Sequence, residues 1–458
     1  MHEYADAARI LAHAEPMTTT REHAVVLGGS IAGLLAARVL SDSYAQVTIV
    51  ERDVLPAGPE PRRGVPQGQH VHGLLPRGRQ VVETLFPGIT DELVTAGAHA
   101  GDVLANVRWF VNGRQLRKQA TGLIAISASR ALIEGTIRRH VRALDNVTML
   151  EGHDIVGVQA TPDRRRVTGV RVTNPRTETS QILPADLVVD ATGRGSRATR
   201  WLAELGYEAP AEDVVRIDLA YSSMRFVPPP GLFGDDVVIS TGRYAGQLRG
   251  SVMQRLEDGT ALVTLAGILG ERPPADLAGC LEYARSLPVP VTYELMRDGE
   301  MVADPVRFTF PTYTRRRYEE LTDFPSGLLV LGDAVCNFNP VYGQGMSVAA
   351  VGAAALAAEL SEEGEPEPAR YFAAVARAVA GAWGMSVGAD MSVPGVTGPI
   401  LPKSPLTAEY LRSLQLAAAE DSALAAAFIR VASLVDPPPA LLHPSVMTAV
   451  ERHRSALV

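Results

Sequence analysis

The stretch "AVVLGGSIAGLLAARVL", residues 24–40, joins an apolar strand to an apolar helix through a glycine-containing turn. Gly28, Ser30 and Gly33 follow the spacing of a dinucleotide fingerprint, with Ser30 in the place of its second glycine. The next strand, "VTIV", ends at Glu51. In this motif the turn brings a pyrophosphate to the helix N-terminus, and the acid accepts hydrogen bonds from a ribose diol. We therefore predict a βαβ dinucleotide site in which the Ser30 hydroxyl donates to a phosphate oxygen.

The composition indicates a globular protein that binds neither nucleic acid nor a membrane. The 458 residues are 46% hydrophobic and 21% charged, with a formal net charge of -8, which disfavours nucleic acid and anionic lipid as partners. The most apolar later run, from Ser347, is too short to span a bilayer. Cys280 and Cys336 are the only cysteines, so we expect no disulfide framework, no cysteine-rich metal site and a cytoplasmic location.

The order of strand and helix patterns predicts an α/β protein whose Rossmann-like nucleotide domain is discontinuous. A mostly antiparallel β-sheet domain is inserted into it, and a helical region follows at the C-terminus. The predicted boundaries are an extension at 1–23, nucleotide-domain parts at 24–102, 129–206 and 311–360, substrate-sheet strands at 103–128, a substrate domain at 207–310 and C-terminal helices at 361–458.

Two further segments are expected to join the nucleotide site, because each follows a buried strand. "GDAVCNFNPVYGQGMS", residues 332–347, offers Asp333 to a sugar-like hydroxyl and backbone N–H groups before a helix. "DLVVDATGRGS", residues 186–196, ends its strand at Asp190.

Together these three motifs resemble the FAD-dependent aromatic hydroxylase superfamily of single-component flavin monooxygenases, over most of the chain up to about Leu360. The resemblance implies that the first motif binds the ADP moiety of FAD. It further implies that Gly332 and Asp333 bind the ribityl chain and that residues 340–346 direct backbone N–H groups at the flavin ring. Asp190 matches the aspartate of the family's Asp-Gly motif, but Ala191 replaces the glycine, which leaves the nicotinamide site open.

Two loops are similar to the flavin epoxidases of polyether biosynthesis and their hydroxylase relatives: "RRGVPQGQHVHGLLPRG", residues 62–78, and "SASRALIE", residues 127–134. This resemblance places residues 63–67 beside the flavin ring and Arg130 near the pyrophosphate. Glycine permits close approach, and arginine neutralises phosphate charge. The complete predicted cofactor-binding set is Gly28, Ser30, Ile31, Ala32, Gly33, Glu51, Arg52, Arg63, Gly64, Val65, Gln67, Arg130, Val156, Asp190, Gly332, Asp333, Pro340, Gly343, Gln344, Gly345 and Met346.

His70 and His72 raise the alternative of a metal site or acid–base chemistry. No acid or cysteine lies near them at ligand spacing, so we expect no metal, and either histidine could instead hydrogen-bond within its loop.

The resemblance implies a reaction in which NADPH or NADH transiently reduces FAD, and dioxygen then gives a flavin C4a-hydroperoxide that transfers one oxygen. We expect epoxidation of an alkene in a hydrophobic polyketide- or isoprenoid-like natural product, with no catalytic side chain identified. The alternatives are aromatic hydroxylation, flavin-dependent reduction of a carbon–carbon double bond and a non-catalytic flavin-binding protein. A halogenase is disfavoured, because no tryptophan-flanked lysine motif is present.

The substrate is expected between the nucleotide domain and the second sheet. Candidate lining residues are large and apolar, although core packing is the alternative for each: Trp109, Phe110, Tyr221, Met224, Phe226 and Met253. The C-terminal helices are expected to pack over the active-site domain, and the oligomeric state is left open.

Overall fold

The computed structural model describes residues 21–242 and 247–456, and most of the predicted N-terminal extension lies outside this range. The strands are β1 (Arg21–Leu27), β2 (Tyr44–Glu51), β3 (Gly73–Leu74), β4 (His99–Asp102), β5 (Val107–Val111), β6 (Arg114–Gln115), β7 (Ile124–Ser127), β8 (Val147–Glu151), β9 (Asp154–Ala160), β10 (Val167–Asn174), β11 (Thr179–Pro184), β12 (Leu187–Asp190), β13 (Glu212–Val227), β14 (Val238–Thr241), β15 (Arg249–Arg255), β16 (Ala261–Gly267), β17 (Glu300–Arg316) and β18 (Leu328–Val330). The helices are α1 (Ile31–Ser41), α2 (Pro76–Leu85), α3 (Ile89–Thr95), α4 (Arg130–Arg142), α5 (Ala198–Leu205), α6 (Leu277–Arg285), α7 (Val291–Asp298), α8 (Gly345–Leu360), α9 (Pro368–Met391), α10 (Ala408–Ala417), α11 (Ser422–Ala432) and α12 (Pro444–Ala456).

A five-stranded parallel sheet carries the glycine turn, in the order β18-β12-β1-β2-β8. Its strands come from widely separated parts of the chain, which confirms the predicted discontinuous nucleotide domain. β1 pairs with β2 from Arg21 onward, so the last three residues of the predicted extension belong to this sheet. Residues 24–27 of β1 and 187–189 of β12 are apolar and buried, because α1 and β10 pack against this sheet.

A seven-stranded, mostly antiparallel sheet forms the second layer, in the order β17-β13-β16-β15-β14-β5-β6. β17 continues to Arg316, across the predicted boundary at 310/311, because it pairs with β13 as far as Glu212. Side chains alternate along β13, so one face packs against α6 and α7 while the other turns toward the parallel sheet. The inserted antiparallel domain is therefore confirmed.

Two smaller antiparallel sheets and the C-terminal helices complete the fold. The smaller sheets have the orders β11-β10-β9 and β3-β7-β4, so β7 lies outside the seven-stranded sheet. Helices α10 to α12 share a separate apolar cluster with Leu104 and Leu116. Among the described helices, α9 has the length and hydropathy to cross a membrane, yet its Tyr371 and Trp383 are buried in the main core.

Candidate flavin site

One large cavity lies between the parallel sheet, the seven-stranded sheet and the C-terminal helices. Its volume is about 1800 Å³, above the roughly 300–1,000 Å³ of a pocket for one drug-sized ligand. Most predicted cofactor residues line it: Gly28, Ser30, Ile31, Ala32, Glu51, Arg52, Gly64, Val65, Gln67, Arg130, Val156, Asp333, Pro340, Gly343, Gln344, Gly345 and Met346. The cavity therefore has room for a cofactor and a second molecule.

The glycine turn has a backbone that other residues would strain. Gly28 has a φ of 99°, and an added Cβ would lie 2.7 Å from the carbonyl oxygen of Ala191. At Gly33 an added Cβ would lie 1.8 Å from the Gly28 carbonyl oxygen. Gly33 is therefore buried beneath the turn and permits helix and strand packing, while Gly28 forms part of the cavity wall.

Glu51 lies at the C-terminal end of β2, directly beside this turn. Its Oε2 accepts a hydrogen bond from the Gly29 amide at 2.8 Å, and its Oε1 accepts one from Asp53 at 3.0 Å. Arg62 Nη1 lies 3.3 Å from Glu51 Oε2 and 2.9 Å from Asp53 Oδ2. The carboxylate is thus held by backbone amides and a buried guanidinium at the position where the fingerprint requires a ribose acceptor.

Glu134 organises the polar groups beside the N-terminus of α1. Its Oε2 accepts hydrogen bonds from Ser30 Oγ at 2.9 Å and Arg130 Nη2 at 3.0 Å, and its Oε1 accepts one from Arg62 Nε at 2.8 Å. Burial raises the pKa of Glu134, but Arg130 and Arg62 outweigh burial, so the net pKa is lowered. Ser30 lines the cavity, and its hydroxyl also accepts a hydrogen bond from Arg130 Nη2 at 2.8 Å, so its donation to a phosphate stays a prediction.

The predicted Arg63 contact is replaced in the structure by Arg62. Arg63 is exposed and does not line the cavity, whereas Arg62 does. The reason is local, because the Gly64 amide donates to Asp53 Oδ2 at 2.7 Å and orients the loop with Arg62 inward. Two adjacent arginines cannot be told apart from sequence when an irregular loop carries them.

Asp190 lies beneath the cavity wall and acts on the turn that follows it. Its buried carboxylate accepts hydrogen bonds from the Thr192 amide and hydroxyl, at 2.9 and 2.6 Å, and from Ser196 Oγ at 2.7 Å. Burial raises its pKa, partly offset by these hydrogen bonds. Asp190 therefore shapes the wall formed by residues 192–195 and does not itself line the cavity. Gly332 likewise lies behind the lining residue Asp333.

The loop from Pro340 to Met346 enters α8 at the cavity wall. An added Cβ at Gly343 or Gly345 would meet no atom within 4 Å, so the backbone there is open to a ligand. Because α8 begins at Gly345, the first amides of this helix have no intrahelical acceptor. These N–H groups suit a carbonyl edge of the kind that a flavin ring carries.

Asp390 anchors this loop from helix α9 and was not predicted from the sequence. Its Oδ2 accepts hydrogen bonds from Tyr313 at 2.8 Å and Asn339 Nδ2 at 2.9 Å, and its Oδ1 accepts one from Tyr342 at 2.8 Å. Asn339 Oδ1 in turn accepts the Val341 amide at 3.2 Å. The available signal was that Asp390 is the one acidic residue of an apolar helix.

His70 is buried against the seven-stranded sheet. Its Nδ1 lies 2.8 Å from Ser223 Oγ, which in turn lies 2.5 Å from Thr264 Oγ1. The His70 ring packs edge-on against Tyr221, with 4.5 Å between the ring centroids. Burial lowers its pKa to about 4, and burial together with Arg130 lowers that of His72 to about 4. No group of three or more potential metal-ligating side chains occurs among the described residues.

The predicted substrate-lining residues divide between the cavity and the apolar core, and Phe110 contacts both. Trp109, Phe110 and Tyr221 line the cavity. In contrast, the structure places the other three in the core against α6 and α7, because side chains alternate along a strand: Met224, Phe226 and Met253. Phe308 and Phe310 of β17 line the cavity and were not predicted, although the apolar–polar alternation of residues 306–310 is a signal that places both rings on one face.

Comparisons with known proteins agree with this architecture. Residues 24–223 match the family model described as FAD dependent oxidoreductase. The chain is 37% identical over 439 residues to Protein Rv3254 of Mycobacterium tuberculosis (strain ATCC 25618 / H37Rv), covering 91% of this chain and 90% of that protein.

Solved flavoproteins share the fold at low sequence identity. The flavin-dependent brominase Bmp2 superposes with a TM-score of 0.64 and 15% identity, covering 95% of this chain and 98% of Bmp2. The structure of pqsL, described as a probable FAD-dependent monooxygenase from Pseudomonas aeruginosa, superposes with a TM-score of 0.59 and 17% identity. The match covers 89% of this chain and 100% of pqsL. With its glycine turn, Glu51 and discontinuous parallel sheet, this chain belongs to the FAD-dependent oxidoreductase family.

Proposed function

We propose that this protein is an FAD-dependent monooxygenase that uses NADPH or NADH and dioxygen to add one oxygen atom to an alkene of a hydrophobic polyketide- or isoprenoid-like molecule. One observation carries the proposal. A single cavity runs from the glycine turn and Glu51, past the loop at residues 340–346, to an aromatic wall on the seven-stranded sheet. A dinucleotide cofactor and an apolar substrate would therefore meet inside one enclosure.

The residues present fit FAD. The α1 N-terminus beside Gly28 suits a pyrophosphate, Glu51 suits a ribose diol, and Asp333 suits a ribityl hydroxyl. Gly343 and Gly345 leave open space where the ring would contact backbone amides. FAD supplies hydride acceptance and dioxygen activation when bound.

The chain's own contribution is to bind, orient and exclude water. Trp109, Tyr221, Phe308 and Phe310 give the substrate part of the cavity an apolar aromatic surface. Such a wall positions an extended polyene and keeps bulk water away from reactive oxygen. Neutral His70, fixed by Ser223, stiffens this wall beside Tyr221.

Aromatic hydroxylation is the second candidate, because the same wall favours a planar aromatic substrate. The ring centroids of Tyr221 and Phe308 lie 5.4 Å apart and the two rings are inclined by 28°, an arrangement on which a further ring can stack. The two reactions share cofactor and reductant and differ in the bond that receives oxygen.

Isotope labelling tests the proposal. FAD-loaded protein is supplied with NADPH, ¹⁸O₂ and a panel containing polyenes and phenols, and the products are analysed by mass spectrometry. We expect one ¹⁸O atom per turnover in a polyene product, with substrate-dependent NADPH oxidation. Incorporation into phenols alone would favour hydroxylation. A product that gains two hydrogens and no ¹⁸O would identify a reductase, and FAD binding without turnover across the panel would support a binding protein.

A further inference from the structure

Arg194 projects into the cavity from the turn after β12 and lies against aromatic rings of the other sheet. Its guanidinium carbon is 4.6 Å from the ring centroid of Phe310 and 5.8 Å from that of Phe308. All three residues line the cavity. The stacking holds the guanidinium where the parallel sheet and the seven-stranded sheet face each other.

Stacking uses the faces of the guanidinium and leaves its edges open to a ligand, since Arg194 is exposed and lines the cavity. An arginine carries five N–H donors in its plane, and a cation–π contact engages none of them. Within residues 21–242 and 247–456, the Arg194 N–H groups have no hydrogen-bond or ion-pair partner. Arg62 and Arg130, which line the same cavity, are by contrast paired with carboxylates.

The electrostatic surroundings of Arg194 are also open to an anion. Burial raises the pKa of Asp333 and of Tyr221, and the charge of Arg194 offsets part of both effects. Arg194 is therefore within electrostatic range of both groups, but neither forms an ion pair with it. A bidentate anion is the partner that best matches the planar donor set.

We propose that Arg194 binds the carboxylate of an otherwise hydrophobic substrate. This inference rests on the proposed function, since it takes the cavity beside the aromatic wall to be the substrate site. We assign the Arg194 contact to the substrate and not to NADPH or NADH, because the guanidinium stacks on Phe308 and Phe310, beside Tyr221. An apolar chain attached to the carboxylate would lie on the same rings.

A matched pair of polyenes tests the inference: retinoate, which carries a carboxylate, and retinol, which carries a hydroxyl on the same chain. Binding to the FAD-loaded protein is measured by flavin absorbance and by quenching of tryptophan fluorescence, to which Trp109 in the cavity contributes. We expect the wild type to bind retinoate at least 10-fold more tightly than retinol. Arg194→Met is expected to weaken retinoate by about 10- to 100-fold and retinol by less than 2-fold.

Two further variants separate the carboxylate contact from net charge. Arg194→Lys keeps the charge without the planar donor set, so an intermediate retinoate affinity is expected. Arg197→Met removes a charge from the same turn, and Arg197 donates to the Ile155 carbonyl at 3.3 Å instead of stacking on Phe310. This control is expected to preserve the preference for retinoate over retinol.

Several results would overturn the inference. The wild type would bind retinoate and retinol with equal affinity, or would bind neither. Alternatively, Arg194→Met would weaken the binding of both ligands equally, or would weaken only the binding of NADPH, which would assign Arg194 to the reductant. Titrations need no turnover, so a retained acid preference without ¹⁸O incorporation would reject the monooxygenase proposal and leave the Arg194 contact standing.

Discussion

Asp390→Leu is the substitution that most directly tests how the ring-facing loop is held. It removes a fully buried carboxylate that accepts hydrogen bonds from Tyr313, Asn339 and Tyr342. Tyr313 and Asn339 are themselves fully buried, so water does not readily replace the lost acceptor, whereas Tyr342 is partly accessible. Leaving two buried donors without this acceptor is expected to cost about 2–5 kcal/mol of unfolding free energy.

The same change should weaken FAD binding by more than 10-fold. Asn339 begins the Pro340–Tyr342 turn and Tyr342 ends it, and Asp390 holds both residues. Their release frees the loop whose glycines face the cavity. Asp390→Asn is expected to cost only about 0–1 kcal/mol, because its oxygen can still accept from Tyr313 and Asn339, and the Tyr342 hydroxyl can turn to accept from the new amide.

Urea unfolding of the FAD-free protein and fluorescence titration with FAD measure the two effects separately. Glu367→Gln, an exposed change at the other end of α9, serves as a control and should stay within about 0.5 kcal/mol of the wild type. Wild-type unfolding and wild-type FAD affinity in Asp390→Leu would refute the reasoning. A stability loss with unchanged FAD affinity would refute the positioning role alone.

Three further outcomes are expected. Gly28→Val should abolish FAD occupancy, because its side chain would meet a neighbouring carbonyl 2.7 Å away, while Ser30→Gly should retain it; full occupancy in the purified valine variant would contradict this. Arg62→Met removes the arginine that pairs with Glu51 and Asp53, while Glu134 keeps Arg130, and should cost about 3–5 kcal/mol, against less than about 0.5 kcal/mol for Arg63→Met, as compared by urea unfolding. Since burial lowers the folded-state pKa of His70 to about 4, the stabilisation by neutral His70 is fully present above pH 6.5 and is lost as the pH falls toward 4, by about 3 kcal/mol. His72 has a similarly lowered pKa, so His70→Gln should reduce the loss of unfolding free energy between about pH 6.5 and 4 without abolishing it, and an unchanged profile would argue against this.

Residues 24–51 contain local information sufficient to predict the nucleotide domain. The βαβ unit is encoded over a short stretch of chain, in which a strand, a turn that needs glycine at Gly28, a helix and a strand ending at Glu51 follow one another. The loop at 340–346 was predictable for the same reason, because glycines before a helix are visible in the local sequence. The sequence also distinguished the parallel sheet from the inserted antiparallel sheet, since buried parallel strands are continuously apolar.

The identity of the side chains that meet across the cavity depended on tertiary structure. Met224, Phe226 and Tyr221 lie on one strand, and only the packing of α6 and α7 decides which face is core. Arg194 and Phe310 are far apart in the chain, and their contact exists because two sheets face each other. Composition determines how many apolar and charged groups the protein has, whereas strand register and sheet packing determine which of them meet a ligand.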